Sequence, residues 1–423
     1  MFEPVLTQNI NLLDSEKIGC YLENGGYEAT RLALTKYSPE ELVEMVKRSG
    51  LRGRGGAGFP AGVKWGFMPK DPNIQKIVAV NTDEGEPGTF KDRQIVECDP
   101  HQVIEGVIIA SYAVGARRAY VYIRGEFFLG VKRWIKAIAD AYEHGFLGKN
   151  IFNTGFNLDM SVHRGAGAYI CGEETAMIES LEGKPGNPRL KPPFPAQIGL
   201  FGLPTLVHNI ETLACIKHIV LRGPEWFANI GTAESKGPKI FSVSGHVNRP
   251  GNYELPLGTS LSEIIYEYGG GIRNGKKLKA IIPGGASTPV LTADQVNTLM
   301  AFETLERAGS QLGTGAIIVM DETTCMVDVA RRITKFFAHE SCGRCVPCRI
   351  GSQRLYETLD RIKSGKARSD DIQRAQYLSQ NIEGRTFCPM GGALVNPTRS
   401  TMLKFYQEYE HHVQYKKCDV NQN

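Results

Sequence analysis

Apolar residues recur at two different spacings in the first half of the chain. Short apolar runs at 77–80 and 119–123 predict buried strands. Helical spacing over 40–50, 101–114 and 131–142 predicts helices on the faces of the resulting sheet. Strands that alternate with helices are typical of an α/β layer fold.

The pattern changes after about residue 231. Alternating or short apolar segments predict strands at 239–245, 253–257, 279–282 and 316–320, with a helix at 260–268 among them. This indicates a small β-rich α+β unit.

From residue 324 onward the spacing is helical and the connections are short, which favours an antiparallel helix bundle. The predicted helices cover 328–337, 352–362, 370–382 and 398–413. The predicted domains are therefore 1–230, 231–323 and 324–423.

Composition sets limits on the class of protein. The 423 residues are 42% apolar and 22% charged, as in globular proteins. No apolar run approaches the ~20 residues that a membrane span requires, and the N-terminus lacks the apolar segment of a signal peptide. A net charge of +4 is too small to indicate nucleic acid as the partner.

The chain is rich in glycine and cysteine, with 47 and 10 residues respectively. Because no export signal precedes them, the cysteines predict metal binding rather than a disulfide framework. The glycines are not in low-complexity stretches, so we expect them in functional loops.

Four cysteines have the spacing of an iron–sulfur site. Cys342, Cys345 and Cys348 form C-x2-C-x2-C, and Cys388 follows next to a proline. This predicts a [4Fe–4S] cluster, with a zinc site as the alternative. The other six have no partner at ligand spacing and are expected to be ordinary thiols: Cys20, Cys98, Cys171, Cys215, Cys325 and Cys418.

A first glycine loop contains Gly53, Gly55 and Gly56 in a literal G-x-G-x-x-G. A helical pattern precedes it, so an ordinary Rossmann fingerprint is not predicted. Such a loop still allows backbone N–H groups to approach a phosphate or a flat ring. Lys64 would supply a cation for a phosphate, and Phe59 and Phe67, which flank the loop, could sandwich an aromatic base. The alternative is a structural turn with both rings in the core.

Polar residues follow the first predicted strand. Asn81 and Asp83 are suited to hydrogen-bond a heterocycle or ribityl hydroxyls at the strand end. Glu84 and Glu86 would accept from ribose hydroxyls and repel a 2′-phosphate, which favours NAD(H) over NADP(H). The alternative is a solvated acidic turn.

A second glycine set at 165–172 changes to helix formers, which predicts a helix N-terminus near Gly172. Asn209 and Thr212 lie three residues apart on one predicted helical face. They could bind a phosphate or cap the helix, and spacing alone leaves both open.

Together these features resemble a known family, the flavin- and NADH-binding F subunit of respiratory complex I, NADH:quinone oxidoreductase. The resemblance covers essentially the whole chain. It implies a Rossmann-like flavin domain, a ubiquitin-like (soluble-ligand-binding β-grasp) domain and a C-terminal four-helix bundle. The motifs are at 51–60, 81–93, 165–176, 184–195, 340–349 and 387–391.

The resemblance also implies roles at the matching positions. FMN would contact Gly53, Gly55, Gly56, Lys64, Asn81, Asp83, Gly172, Glu173, Asn209 and Thr212. NADH would contact Phe59, Phe67, Phe194, Glu86, Glu174, Lys191 and Tyr169. Cys342, Cys345, Cys348 and Cys388 would ligate the [4Fe–4S] cluster. His208 stands where the family commonly has Asn and is left outside the FMN set.

The implied activity is NADH oxidation by hydride transfer to FMN, followed by single-electron transfer through the cluster towards quinone. The implied partners are a thioredoxin-like [2Fe–2S] subunit and further iron–sulfur subunits of the peripheral arm, on the cytoplasmic side of the inner membrane. The alternatives are the diaphorase subunit of an NAD-linked hydrogenase or formate dehydrogenase, and a non-enzymatic zinc and β-grasp binding module.

Overall fold

The computed structural model describes residues 2–420 and divides into two compact units. The first comprises the chain up to Gly85, Phe90–Ile240 and Glu254–Gly258. The second comprises Glu86–Thr89, Phe241–Tyr253 and the chain from Thr259 onward. Within 2–420, no helix is both long and apolar enough to cross a bilayer.

The first unit is built on a four-stranded sheet in which all neighbouring strands are parallel. Its strands are β1 (Ile77–Thr82), β2 (Arg118–Ile123), β3 (Asp159–Arg164) and β4 (Thr205–Asn209). The spatial order is β3-β2-β1-β4, so the chain moves outward from β1 and then returns to its other side. A ligand site is expected where the order reverses, at the carboxyl ends of β1 and β4.

Helices cover this sheet, as the apolar spacing predicts. One continuous core joins strand residues such as Val80 and Val121 to helix residues such as Ile108 and Ile219. The helices are α1 (Ile18–Glu23), α2 (Glu28–Lys36), α3 (Pro39–Ser49), α4 (Ala61–Gly66), α5 (Lys91–Cys98), α6 (Pro100–Val114), α7 (Phe128–Glu143), α8 (Glu174–Leu181), α9 (Ile210–Arg222) and α10 (Pro224–Ala228).

Local signals set the ends of α3. The Ser38 side chain accepts from Glu41 N at 3.2 Å, and the Glu41 carboxylate accepts from Ser38 N at 2.7 Å. This reciprocal pair satisfies two N–H groups at the start of the helix. Gly50 ends the helix with φ 67°, a conformation that favours glycine. The helix predicted over 40–50 is therefore confirmed, with Gly50 as its C-cap.

A second, mixed sheet has the order β6-β5-β9-β7-β8. Its strands are β5 (Pro238–Gly245), β6 (Gly251–Pro256), β7 (Leu278–Ile282), β8 (Leu291–Thr292) and β9 (Ala316–Asp321). Strand β9 is parallel to β5 and antiparallel to β7. The predicted helix at 260–268 is a short turn, α11 (Leu261–Glu263), continued by a π-helical turn (Ile264–Tyr268).

The C-terminal third is helical. Helix α13 packs on α14 and α16, and α14 packs on α15. The helices of the second unit after α11 are α12 (Phe302–Arg307), α13 (Met326–Glu340), α14 (Val346–Lys363), α15 (Asp371–Ile382), α16 (Met390–Lys404) and α17 (Tyr406–Tyr415).

One predicted helix is wrong. In place of a single helix over 398–413, α16 begins earlier and ends before Phe405, and α17 follows it. Phe405 leaves the helical conformation (φ −129°, ψ 36°) and packs against the apolar core beside β7 and β9. Two glycines and Pro397 inside α16 hid its first half from the pattern. The mixed α/β class with a parallel sheet is confirmed, whereas the predicted boundary at 323/324 lies within the second unit and stays a prediction.

Candidate functional site

The first glycine loop lies between α3 and α4 and packs against the start of α9. Arg54 N donates to Thr212 Oγ1 at 2.9 Å. A Cβ at Gly55 would lie 3.0 Å from Cβ of Asn209, so this close approach requires glycine or a displacement of Asn209. The loop closes through Gly53 N, which donates to Phe59 O at 2.8 Å. The predicted glycines are thereby held at the N-terminus of a 13-residue helix.

Asn209 caps that helix. Its Oδ1 accepts from Glu211 N at 3.0 Å, and its Nδ2 donates to Asp92 Oδ2 at 2.6 Å. Of the two alternatives left open by the sequence, the structure shows the cap for Asn209 and a loop anchor for Thr212. Neither role excludes an anion at the helix N-terminus, because the first N–H groups of a helix have no intrahelical partner.

The ends of β1 and β4 lie side by side at the point where strand order reverses. Asn81 and Asn209 are register partners there. Asn81 Nδ2 donates to Gly172 O at 2.9 Å, while its Oδ1 accepts from Asp83 N at 3.0 Å. A Cβ at Gly172 would lie 3.4 Å from Asp83 O. The structure thus brings three predicted FMN residues, Asn81, Asp83 and Gly172, together.

A buried ionic network lies beneath this region. Lys91 Nζ is 2.8 Å from Glu211 Oε2 and 2.5 Å from Asp92 Oδ1. Lys239 Nζ is 2.7 Å from the same Glu211 oxygen. Burial alone would raise the pKa of Glu211, but Lys239 and Lys91 outweigh it and lower the pKa to about 2. Burial lowers the pKa of Lys239 to about 8 despite the neighbouring carboxylate.

Arg54 adds a further buried cation and was not singled out from the sequence. Its side chain is 1% exposed and donates Nη2 to Lys236 O at 2.6 Å. Its Nε and Nη1 atoms are buried without a hydrogen-bond partner among residues 2–420. Buried guanidinium N–H groups without partners are costly, and they provide the donors that a phosphate accepts from.

Glu84 is not placed as the sequence suggests. Its two carboxylate oxygens accept from Asp92 N at 2.8 Å and Arg93 N at 3.0 Å, which caps α5. Burial and the nearby Asp92 raise the pKa of Glu84 to about 7. In the structure Glu84 therefore caps a helix, in place of the predicted contact with ribose hydroxyls. The sequence could not distinguish the two roles, because an acidic residue just after a strand suits both.

Four of the predicted cofactor-binding residues, Lys64, Glu173, Glu174 and Lys191, form a cluster of alternating charges. Lys64 Nζ is 2.8 Å from Glu174 Oε2, and Lys191 Nζ is 2.8 Å from Glu174 Oε1 and 2.9 Å from Glu173 Oε1. Burial would raise the pKa of Glu174, but Lys64 and Lys191 outweigh it and lower the pKa to about 2. Lys64, predicted near the FMN phosphate, is thus engaged by a residue of the predicted NADH set.

Glu173 also defines the start of α8. Its Oε2 accepts from Thr175 N at 2.9 Å and Ala176 N at 3.0 Å. The helix therefore begins two residues after Gly172, close to the predicted N-terminus. Gly172 itself ends a 3₁₀ turn that begins at Tyr169.

The predicted adenine-binding rings are exposed. Phe59, Phe67 and Phe194 are 47%, 60% and 53% exposed, and the centroids of the first two lie 6.1 Å apart. Exposed apolar rings favour a stacking surface over the alternative in which they fill the core. Tyr169 packs on Gly85, whose Cβ position would lie 3.2 Å from the tyrosine ring.

Glu86 belongs to the second unit. Its Oε1 accepts from Ser287 N at 2.7 Å. An amide oxygen could accept the same bond, so the charge of Glu86 is not needed for that contact.

His208 lies on β4 next to these sites and is buried. Trp65 Nε1 donates to His208 Nε2 at 2.8 Å, which assigns the ring proton to Nδ1. Burial, and to a smaller extent Lys64, lowers the pKa of His208 to about 3. The imidazole is therefore neutral and acts as an acceptor near neutral pH.

The four predicted cluster cysteines lie at the starts of two helices. Cys345 precedes α14, Cys348 lies in its first turn, and Cys342 lies in the loop before it. Burial, with Cys345 and Cys342 as smaller causes, raises the pKa of Cys348, and Ser341 Oγ at 3.2 Å opposes the rise. Cys388 lies in the loop before α16.

A cation–π contact joins the two cysteine-bearing loops. The Arg344 guanidinium carbon lies 4.0 Å from the centroid of the Phe387 ring, and these residues flank Cys345 and Cys388. The loops that carry Cys345 and Cys388 therefore lie next to each other. Cys345 and Cys388 thus each lie just before the N-terminus of a helix, α14 and α16 respectively.

Another group of metal-ligating side chains is more compact. Among the described residues, a single group of three or more His, Cys, Asp or Glu side chains has all its ligand atoms within 4.8 Å of one another, and it is Cys325, His412 and Cys418. The four predicted cysteines are not such a group. A cubane holds each ligand on a different iron, so its cysteines need not be that close.

The chain is similar to known proteins over nearly its whole length. Residues 46–218 match the family described as the Nuo51 FMN-binding domain, residues 328–412 the NADH-ubiquinone oxidoreductase-F iron-sulfur binding region, and residues 240–291 the SLBB domain. The F subunit (form 2) of the NADH-quinone oxidoreductase of Rhizobium meliloti (strain 1021) is 51% identical over 418 residues, 99% of each chain.

Hydrogenase subunits are also similar. The NADP-reducing hydrogenase subunit HndC of Solidesulfovibrio fructosivorans is 48% identical over 99% of this chain and 85% of its own. A crystal structure of NAD⁺-reducing [NiFe]-hydrogenase in the air-oxidised state matches with a TM-score of 0.83 and 35% identity. That match covers 97% of this chain and 67% of the hydrogenase chain.

Proposed function

Because the chain belongs to the family of the NADH-quinone oxidoreductase F subunit, we propose that it oxidises NADH with bound FMN and delivers the electrons to a partner through a [4Fe–4S] cluster. It is an oxidoreductase of the FMN- and iron–sulfur-dependent type. When bound, FMN supplies hydride acceptance and the cluster supplies one-electron transfer. The protein contributes binding, orientation and electrostatics.

One observation supports the FMN site most strongly. The glycine loop is anchored to the N-terminus of α9 through Thr212. It also carries Arg54, two of whose buried guanidinium nitrogens lack a hydrogen-bond partner within the described chain. Free backbone donors, a helix N-terminus and a guanidinium together suit the phosphate of FMN. Gly53, Gly55 and Gly56 admit the ligand to the backbone. Asn81, Asp83, Gly172 and Glu173 then face the ribityl chain and the ring at the end of β1, while Asn209 and Thr212 lie next to the phosphate.

The NADH site lies on the exposed face of the same region. Phe59, Phe67 and Phe194 stack on the adenine, and Tyr169 lies by the nicotinamide. Lys191 supplies positive charge for the pyrophosphate. Its side chain is held by an ion pair with Glu174, which is paired in turn with Lys64. For Glu86, which belongs to the second unit, the family resemblance supports a role in accepting from a ribose hydroxyl and repelling a 2′-phosphate.

Cys342, Cys345, Cys348 and Cys388 hold the cluster. Arg344 and Phe387 keep the two ligand loops together, and the N-termini of α14 and α16 offset the charge of the thiolates. The donor set of four thiols at these helix starts suits a cubane.

The finer architecture follows the same proposal. The first unit corresponds to a Rossmann-like flavin domain at 1–230, the mixed sheet to a β-grasp domain at 231–323, and the last helices to a four-helix bundle at 324–423. The partners are a thioredoxin-like [2Fe–2S] subunit and further iron–sulfur subunits, which would place the chain peripherally on the cytoplasmic side of the inner membrane.

A second candidate differs only in the final acceptor. The 48% identity to a hydrogenase subunit and the fold likeness to an NAD⁺-reducing hydrogenase favour a diaphorase subunit as the alternative. The NADH-oxidising site would be the same, and the electrons would pass to hydrogenase subunits.

An anaerobic titration with NADH, followed by absorbance and EPR, tests the proposal. We expect bleaching of a flavin band and a reduced-cluster EPR signal that Cys388→Ala removes. A colourless protein that contains zinc at Cys342, Cys345, Cys348 and Cys388 would overturn it. Copurification with tagged chain then separates the acceptors, since quinone-reductase subunits support the first candidate and hydrogenase subunits the second.

A further inference from the structure

Cys325, His412 and Cys418 converge in the second unit, although they are far apart in sequence. Cys325 Sγ lies 3.7 Å from His412 Nε2, and all three ligand atoms lie within 4.8 Å of one another. Cys325 and His412 are buried and Cys418 is half-buried. None of them belongs to the proposed cluster ligands.

The imidazole is held in the tautomer that a metal requires. His412 Nδ1 lies 2.7 Å from the carbonyl oxygen of Glu408. A carbonyl can only accept, so Nδ1 carries the proton and the lone pair of Nε2 faces the two sulfur atoms. A backbone or carboxylate partner on the second ring nitrogen is the usual support of a metal-binding histidine.

That support is itself fixed. The Glu408 carboxylate accepts from Met326 N at 2.9 Å and lies 2.6 Å from Lys279 Nζ. The start of α13, next to Cys325, is therefore tied to the turn of α17 that carries His412. The ring orientation is set before any ligand binds, which reduces the cost of ordering the site.

The chain beyond α17 is turned back towards this pair. Lys416 adopts a left-handed conformation with φ 58°. Its Nζ donates to Ala367 O. Its carbonyl oxygen lies so close to Gly365 that a Cβ on that glycine would be 2.4 Å from it. These contacts position Cys418, two residues later, next to Cys325. Cys325 is the N-cap of the 15-residue α13, where the helix dipole stabilises a negative ligand.

We propose that Cys325, His412 and Cys418 bind one Zn²⁺ ion, separate from the iron–sulfur cluster, which ties the C-terminal segment to the start of α13. Two thiolates and a neutral imidazole are the donors that Zn²⁺ prefers, and they leave one of four tetrahedral positions open.

The first test is metal analysis of the complete protein, purified anaerobically with its flavin and cluster and dialysed after addition of equimolar Zn²⁺. We expect about one zinc per chain in addition to the cluster iron, with K-edge absorption showing sulfur at ~2.3 Å and nitrogen at ~2.0 Å. Absence of retained zinc, or a Cys325–Cys418 disulfide under reducing conditions, would overturn the proposal.

Variants assign the ligands. Cys418 lies beyond the last helix, so Cys418→Ser should leave the fold intact. Cys325→Ser removes the buried thiol. Both should lose the zinc and keep the cluster EPR signal. The control variants Cys98→Ser and Cys215→Ser should retain the zinc. They replace a half-buried and a buried thiol respectively. Zinc that remains in both ligand variants would contradict the assignment, and because cluster and zinc are measured separately, failure of one does not imply failure of the other.

Discussion

Asn81 and Asn209 are register partners at the carboxyl ends of β1 and β4, the two parallel strands between which the strand order reverses. Each amide is already committed to positioning a neighbour. Asn81 holds the Gly172 carbonyl, and Asn209 caps α9 and bonds to Asp92. The glycine loop and the 3₁₀ turn before α8 therefore meet at one end of the sheet, and the first prediction concerns how that loop is held.

Thr212→Val should weaken FMN binding about fivefold, since the loss of one net hydrogen bond costs ~1 kcal/mol. The hydroxyl accepts from Arg54 N and anchors the loop. Fluorescence titration of flavin-free protein with FMN measures the change. Thr212→Ser keeps the acceptor and should bind as the wild type does. Equal affinities for the valine and serine variants would contradict the anchoring role.

Arg54→Met should lower FMN affinity by about 10- to 100-fold, the range expected for a charged hydrogen bond of ~1.5–3 kcal/mol. Riboflavin lacks the phosphate, so its affinity should change little. Parallel titrations with both ligands, and with Arg54→Lys as the charge-conserving control, separate phosphate contact from loss of structure. An equal loss for FMN and riboflavin would remove Arg54 from the phosphate site.

Glu86→Gln should raise the ratio of kcat/KM for NADPH to that for NADH by about tenfold, equivalent to ~1.4 kcal/mol of repulsion removed. The amide oxygen retains the bond from Ser287 N. Steady-state assays with both nucleotides measure the ratio. Glu84→Gln is the comparison, because that carboxylate caps α5 and should alter stability but not selectivity. An unchanged ratio in Glu86→Gln would argue against its role.

His208→Asn should make the protein less sensitive to acid. The pKa of His208 is lowered to about 3 by burial, so the folded state binds this proton less readily than the unfolded state. The contribution of neutral His208 to the free energy of unfolding is fully present above pH ~6.5 and decreases as the pH drops towards 3. The wild type should lose about 2 kcal/mol more than the variant between pH 7 and pH 5. Unfolding in urea at both pH values measures this difference, and parallel losses would show that His208 does not cause it.

Cys348→Ala should abolish the cluster, whereas Cys215→Ala should not. Both thiols are buried, at 5% and 1% exposure, so the pair controls for the loss of a buried sulfur atom. Iron content and the EPR spectrum of the NADH-reduced protein report the result. A reduced-cluster signal in Cys348→Ala would exclude that residue as a ligand.

Local signals in the sequence predicted much of the fold. The apolar runs of β1 and β2, the glycine that ends α3, and the C-x2-C-x2-C spacing each act within a few residues, so they can be recognised without tertiary contacts. The same locality explains the error over 398–413, where Phe405 leaves the helix to reach an apolar core formed by distant strands.

Only the tertiary structure decided which partners the polar side chains have. Asn209 could cap a helix or bind a phosphate, and Glu84 could accept from ribose or cap α5, until the packing supplied their partners. No spacing in the sequence joins Cys325, His412 and Cys418, since each lacks a partner at ligand distance along the chain. The physical reason is that a spacing motif in the sequence identifies only residues that are close along the chain. Burial, charge compensation and the proposed zinc site depend on residues that are far apart in the chain and that folding brings together.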